Sequence, residues 1–164
     1  MTSGAATHRG PGVEKGRLSW DEYFLTITRQ VAERSTCTRA KVGAIIVRDK
    51  SILATGYNGS PSGMPHCLEV GCLVYKTQNP SGETEENCWR TIHAEMNAIA
   101  QAARNGAAIR DASVYITHSP CIHCLKTLVN TGIKHIVYEK PYKLHTLEEI
   151  VRYTEVRLEH VPLG

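Results

Sequence analysis

His93-Ala94-Glu95, taken together with Pro120-Cys121-Ile122-His123-Cys124, is the pair of segments around which this 164-residue chain is organised. They bring together one imidazole, one carboxylate and two thiols, with 24 residues between Glu95 and Pro120. Catalytic zinc is held by three protein ligands and keeps its fourth position open. One imidazole and two thiolates suit its borderline softness. The spacing therefore points to His93, Cys121 and Cys124 as ligands of one Zn2+. Glu95 is too close to His93, and too differently directed, to be a further ligand easily, so it is read as the acid/base. His118 and His123 are bystanders, because three ligands are already supplied.

The flanking sequence indicates how these residues are carried. Ile92, Met96, Ile99 and Ala103 recur at helical spacing, which puts His93 and Glu95 at a helix start, and Asn105-Gly106 ends that helix. Ser119-Pro120 reads as an N-cap followed by Pro, with both cysteines in the first turn, where the helix dipole favours thiolates. Upstream, Ser19 and Glu22 form a capping box, and Trp20, Tyr23, Phe24, Ile27 and Val31 make one apolar stripe. Strands are predicted over 42–47, 52–57, 113–117 and 134–138, with Asp49-Lys50 turning the first pair. A helix near 145–153 and a strand near 155–160 complete the order. This order predicts an α/β fold, a three-layer α/β/α sandwich on a mixed sheet of about five strands. Residues 1–17 read as a flexible tail and 18–164 as the domain. Residues 58–90 read as an irregular loop that holds Cys67, Cys72 and Cys88.

Composition narrows the function. Hydrophobic content of 41% and charged content of 21% are globular values, and the formal charge is only +3. No dense Lys/Arg block or apolar span appears, so neither nucleic acid nor membrane is expected as a partner. The first residues lack the apolar core of an export signal, and a cytoplasmic location is expected. Six cysteines in such a compartment point to metal rather than disulfides. Cys121/Cys124 alone would also suit a structural zinc knuckle or a redox pair, but neither needs the upstream His-x-Glu.

The H-x-E…P-C-x-x-C pattern is the motif of zinc deaminases. The chain resembles the deoxycytidylate (dCMP) deaminase family of the cytidine deaminase-like fold, including its bacterial late-competence-operon members. The likeness spans roughly residues 20–142. It rests on Cys37-Thr38-Arg39-Ala40-Lys41-Val42-Gly43-Ala44, Gly56-Tyr57-Asn58-Gly59-Ser60-Pro61, residues 90–99 and residues 119–124. The resemblance implies hydrolytic deamination of dCMP to dUMP and ammonia, feeding dTTP synthesis, with a zinc-activated water and Glu95 moving the proton. It implies Asn58 as a nucleotide contact, although an Asn-Gly turn at positive φ reads equally well. The Ala94 N–H would hold the pyrimidine carbonyl, and Tyr138 or Tyr142 would cover the base or simply pack.

The resemblance further implies activation by dCTP with Mg2+ and inhibition by dTTP, at a site of Lys41, Gly59, Asn97 and Arg104. A solvated face or a subunit contact explains Lys41 and Arg104 as well. It also implies a homo-oligomer, a hexamer, and a second, structural Zn2+ drawing on Cys37 and Cys67. Cys72 and Cys88 complete that set, with His66 as a substitute for one of them; buried reduced cysteines are the alternative. Two other functions remain open: a deaminase of tRNA adenosine or another nucleobase, and a non-enzymatic zinc module in DNA uptake.

Overall fold

The computed structural model describes residues 16–79 and 81–164. The expected tail lies almost wholly outside them. Helix α1 (Trp20–Ala32) opens on the Ser19/Glu22 capping box, with Glu22 N donating to Ser19 Oγ at 3.2 Å and Ser19 N to Glu22 Oε2 at 2.8 Å. Strands β1 (Gly43–Arg48) and β2 (Ser51–Tyr57) form a hairpin. Asp49 and Lys50 turn it, both at positive φ (51° and 62°), the primed turn that matches strand twist.

The expected irregular stretch is ordered. A short helix α2 (Cys67–Val70) leads into a separate antiparallel pair, β3 (Val74–Gln78) with β4 (Thr84–Cys88). Val74, Tyr75, Thr77 and Thr84 are strand formers, and Asn79 Oδ1 closes the turn by accepting from Glu83 N at 2.9 Å. Gly71 and Gly82, both at positive φ, flank β3 and turn the hairpin rather than prevent it.

Helix α3 (Ala94–Arg104), β5 (Ser113–His118), α4 (Ile122–Asn130) and β6 (His135–Lys140) follow. The expected helix near 145–153 divides into a 3-10 turn (Leu144–Thr146) and α5 (Glu148–Tyr153), before β7 (Arg157–His160). The main sheet has order β2-β1-β5-β6-β7, antiparallel across β2-β1-β5 and parallel across β5-β6-β7. Because β1 opposes both neighbours, β2, β5 and β6 all end at the same edge of the sheet.

Strand alternation produces the three layers. Ile45, Val47 and Tyr115 pack with Phe24 and Leu25 of α1 on one face. Ala44, Ile46 and Ile116 pack with Ala98 of α3, Leu125 of α4 and Leu147 beside α5 on the other. Two helix faces differ from the expected stripes. In α1 the buried residues are Phe24, Leu25, Thr28 and Ala32, while Trp20 and Tyr23 are each 44% exposed. In α3 the buried face is Ala94, Glu95, Ala98 and Ala102, with Met96 turned outward.

The reason is close helix–sheet approach. A Cβ on Gly43 would lie 2.5 Å from Thr28 O, and one on Gly56 would lie 2.1 Å from Ala94 O and 2.4 Å from Ala98 N. Glycine on the strand and small residues on the helix bring the two backbones together. Thr55 N also donates to Gln101 Oε1 at 2.6 Å, tying α3 to the edge strand β2.

Candidate metal and catalytic centre

The centre lies at the sheet edge where β2, β5 and β6 end. His93 is the N-cap of α3, so its side chain hangs at the mouth of the helix while Ala94 and Glu95 enter the first turn. Cys121 is the N-cap of α4, two positions later than expected, and Cys124 occupies the first turn. Ser119 and Pro120 therefore precede the helix. Ser119 Oγ instead donates to Tyr142 O at 2.8 Å and accepts from Tyr142 N at 2.7 Å, fixing the loop that delivers Cys121.

The donor atoms converge. His93 Nδ1 is 3.5 Å from both Cys121 Sγ and Cys124 Sγ. With Zn–N near 2.0–2.1 Å and Zn–S near 2.3 Å, a tetrahedral N–S edge comes to about 3.5 Å. The donor set thus fits zinc in chemistry and in spacing. The hydrogen bond from Cys124 draws the Cys121 thiol far below its ordinary value, and the same contact raises Cys124. The Cys121 partner raises His93.

Glu95 is 4% exposed. Burial pushes its carboxyl up to about 7, against its own backbone amide and the His93 charge, which favour the anion. A carboxyl poised near neutrality can both accept and return a proton.

The remaining expected contacts fall as follows. Asn58 is 7% exposed, and both ends of its amide are used: Oδ1 accepts from Ala94 N at 3.0 Å, and Nδ2 donates to Ala40 O at 3.2 Å. The expected free Ala94 N–H and free Asn58 amide are therefore one bond between them. Asn58 is not among the described non-glycine residues with positive φ, so the Asn-Gly turn is not formed. Tyr138 is 6% exposed; it stacks on His160 with ring centroids 5.2 Å apart and lines a surface cavity under α5 with Leu147 and Leu158. Its ring packs there, as in the packing alternative read from the sequence. Tyr142 stays half-exposed beside Ser119.

Gly59 exchanges two backbone hydrogen bonds with Ile92 at 3.2 and 2.8 Å, and Asn97 Nδ2 donates to Tyr57 O at 2.8 Å. Lys41 pairs with Glu33 at 2.7 Å. These three border the end of β2. Arg104 sits seven residues beyond Asn97 along α3, about 10 Å away.

Beside the centre, Cys67, Cys72 and Cys88 bring their Sγ atoms within 4.8 Å of one another. Cys37 is not in that group, which corrects the expected four-cysteine set: the Arg39 amide donates to it at 3.4 Å within its own loop. Burial raises both Cys67 and Cys88. At Cys88 that effect is outweighed by hydrogen bonds from the Thr91 hydroxyl and the amides of Arg90, Thr91 and Leu73, which bring it down to about 6. The hairpin is strapped on two sides, by Arg39 to Glu86 O at 3.0 Å and by Lys143 to Glu85. Lys143 has no periodicity or motif that marks it in the sequence, and the motifs that contain Arg39 and Thr91 do not reveal these contacts.

Comparison with known proteins agrees with this geometry. The profile of the cytidine and deoxycytidylate deaminase zinc-binding region matches residues 18–140. ComE operon protein 2 of Bacillus subtilis (strain 168) is 44% identical over 148 residues, 90% of this chain and 74% of that protein. The deoxycytidylate deaminase of Mycobacterium phage D29 is 38% identical over 129 residues, 76% of this chain and 97% of that one. The crystal structure of dCMP deaminase from the cyanophage S-TIM5 in complex with dCMP and dUMP superposes with a TM-score of 0.68 at 30% identity. That match covers 85% of this chain and 95% of the phage chain.

Proposed function

The chain belongs to the cytidine and deoxycytidylate deaminase zinc-binding family, and from that premise we propose that it hydrolyses dCMP to dUMP and ammonia. The observation that carries the reading is the His93/Cys121/Cys124 triad at zinc spacing with buried Glu95 on the same helix turn. When bound there, zinc supplies a Lewis acid and a water that ionises near neutral pH. Glu95 takes a proton from the attacking water and delivers it to the ring nitrogen beside the amino-bearing carbon. It then takes the second proton, from the hydroxyl now on that carbon, and passes it to the amine as the C–N bond breaks, so that water and dCMP give dUMP and ammonia. Burial of Glu95 keeps bulk water from competing for that proton. Asn58 holds the start of α3, and so the positions of His93 and Glu95, through Ala94.

We assign residues 18–164 to the deaminase domain and its work to the cytoplasm, supplying dUMP for dTTP synthesis. No helix among the described residues is long and apolar enough to cross a membrane. Regulation by dCTP with Mg2+ and by dTTP belongs to the same reading, with Lys41, Gly59 and Asn97 nearest one another and Arg104 apart. A homo-oligomer, a hexamer in this reading, is supported by exposed apolar residues around the hairpin, among them Leu68, Leu73 and Trp89, the last 72% exposed. A second, structural zinc is proposed on Cys67, Cys72 and Cys88. Two Zn–S bonds near 2.3 Å give a tetrahedral S–S edge of about 3.8 Å, and Cys67 Sγ to Cys88 Sγ is 3.8 Å. His66, whose Nδ1 is buried without a partner, is the remaining donor on that segment.

The test is ammonia release from dCMP, cytidine, dCTP and an adenosine-containing RNA hairpin, with and without dCTP as effector. Turnover is expected on dCMP. Turnover confined to the RNA, or none with zinc bound, would refute the reading.

A further inference from the structure

Strand β2 is an edge of the main sheet, and two side chains of α3 bond to backbone groups along it. Asn97 Nδ2 donates to Tyr57 O at 2.8 Å, and Gln101 Oε1 accepts from Thr55 N at 2.6 Å. Both side chains are half-buried. The two repeats match. Four residues of helix rise about 6 Å, and two residues of strand span about 6.6 Å. Helix positions four apart share one face and strand positions two apart point the same way, so both contacts form at once. Asn97 meets the later strand residue, so α3 runs antiparallel to β2. Together the two contacts set the register of the helix along the strand, where Gly56 brings the two backbones together.

Asn97 goes further than Gln101. Its amide carries two N–H donors, and it donates as well to Ile92 O at 3.4 Å. Ile92 O also accepts from Gly59 N at 3.2 Å. That carbonyl lies in the peptide plane that ends on His93 N. The next plane, from His93 to Ala94, is held at both ends. His93 O accepts from Asn97 N at 3.0 Å, and Ala94 N donates to Asn58 Oδ1 at 3.0 Å. His93 itself stands just outside the helix, at φ −67° and ψ 152°. The bonds on its two flanking peptides therefore set the direction in which its side chain leaves the backbone. Asn97 contributes to both planes, to one through its side chain and to the other through its backbone.

We propose that Asn97 is a positioning residue for the catalytic metal. It ties the backbone that carries His93 to the end of β2, and so keeps Nδ1 of His93 at the distance from Cys121 and Cys124 that zinc requires. It acts through His93 and takes no part in the proton transfers. Gln101 shares the register but bonds Thr55 and not Ile92, so it anchors the helix alone. The assignment deepens the deaminase reading, from which it takes the role of His93. It gives the Asn97 amide a task besides the effector contact expected of it.

Zinc release to a chromogenic chelator tests this without turnover. The phase that belongs to the His93 site is the one missing from Cys121→Ser. Asn97→Ala is expected to release that zinc about 10-fold faster, the lower end of the range for groups that support a metal ligand. With zinc in excess, its kcat on dCMP should fall about 10-fold while KM stays within about twofold, the split expected of a group that aligns the reacting centre. Asn97→Asp keeps the shape but turns an acceptor toward two carbonyl oxygens, and should release zinc at least as fast as Asn97→Ala. Gln101→Ala is the control for a merely structural role: it should lower the melting temperature and leave zinc release and kcat near wild type. Wild-type release from either Asn97 variant overturns the proposal. So does equal acceleration in Gln101→Ala, which would assign the effect to the helix as a whole, and so does a loss confined to the response to dCTP. If Asn97→Ala does not fold, Asn97→Asp decides by the same measurement. Ammonia release from dCMP by wild type is scored separately. Failure there with faster zinc release in the Asn97 variants removes the deaminase reading and leaves the positioning role. Turnover with unchanged release does the reverse.

Discussion

At the scale of single residues, the centre depends on the carboxyl of Glu95 and on the missing side chain of Gly56. Glu95 is buried and poised near neutrality, so replacing its carboxyl removes the proton carrier while leaving the three metal donors in place. Glu95→Gln is expected to keep stoichiometric zinc by metal analysis and to lose about 10²-fold or more in kcat. Near-normal turnover would remove Glu95 from the mechanism. Gly56 matters for a different reason. A methyl group there would stand 2.1 Å from the Ala94 carbonyl oxygen and 2.4 Å from the Ala98 amide nitrogen, both backbone atoms that cannot rotate away. Gly56→Ala is expected to cost about 1–3 kcal/mol in denaturant unfolding. It should also lower zinc affinity by displacing His93, and an unchanged midpoint would show that α3 can move outward freely.

At the scale of elements, α1 is joined to the end of β6 by one charged contact. Arg29 Nε and Nη2 donate to the two oxygens of Glu139 at 2.9 and 2.8 Å, and the Glu139 side chain is only 5% exposed. The guanidinium holds that carboxyl below its ordinary value of 4.5. A depressed folded-state value means the contact stabilises fully above pH 4.5 and is lost as pH falls through the folded value. Arg29→Ala is therefore expected to be less stable than wild type at neutral pH, with the gap closing in acid, as read from urea midpoints between pH 7 and 3. A gap that does not change with pH would assign the effect to lost packing of the arginine stem instead. The β3–β4 hairpin shows why its segment was hard to read from sequence. Its strands are five residues each, β3 exposed throughout and β4 at most partly buried, so no apolar stripe marks them. What holds them comes from distant loops, through Arg39 and Lys143.

At the scale of the whole molecule, two clusters of metal donors are joined by the short chain between Cys88 and His93. With both filled, metal analysis is expected to give two zinc ions per chain. Cys72→Ser should reduce this to one while leaving the His93 site loaded. Chelation of wild type should then lower the melting temperature and abolish activity, because metal binding is linked to order in both regions. One zinc in wild type would leave the three cysteines as reduced thiols.

Much of this was legible in the sequence. The sequence positions of the five main-sheet strands, the Ser19 capping box, the Asp49-Lys50 turn and the convergence of His93 with Cys121 and Cys124 follow from local rules. Hydrophobic period, cap chemistry and donor spacing act over a few residues and carry their own signal. What only the tertiary structure decided depends on contacts between distant parts of the chain. Alanines, not Met96, face the sheet from α3, because Gly56 brings the backbones together. Tyr138 stacks on His160. Cys37 stays outside the thiolate group, and Asn58 spends its amide on Ala94 and Ala40. A side chain's partner across the fold is set by packing and by the need to satisfy every buried polar group, and neither is written in the spacing of residues along one segment.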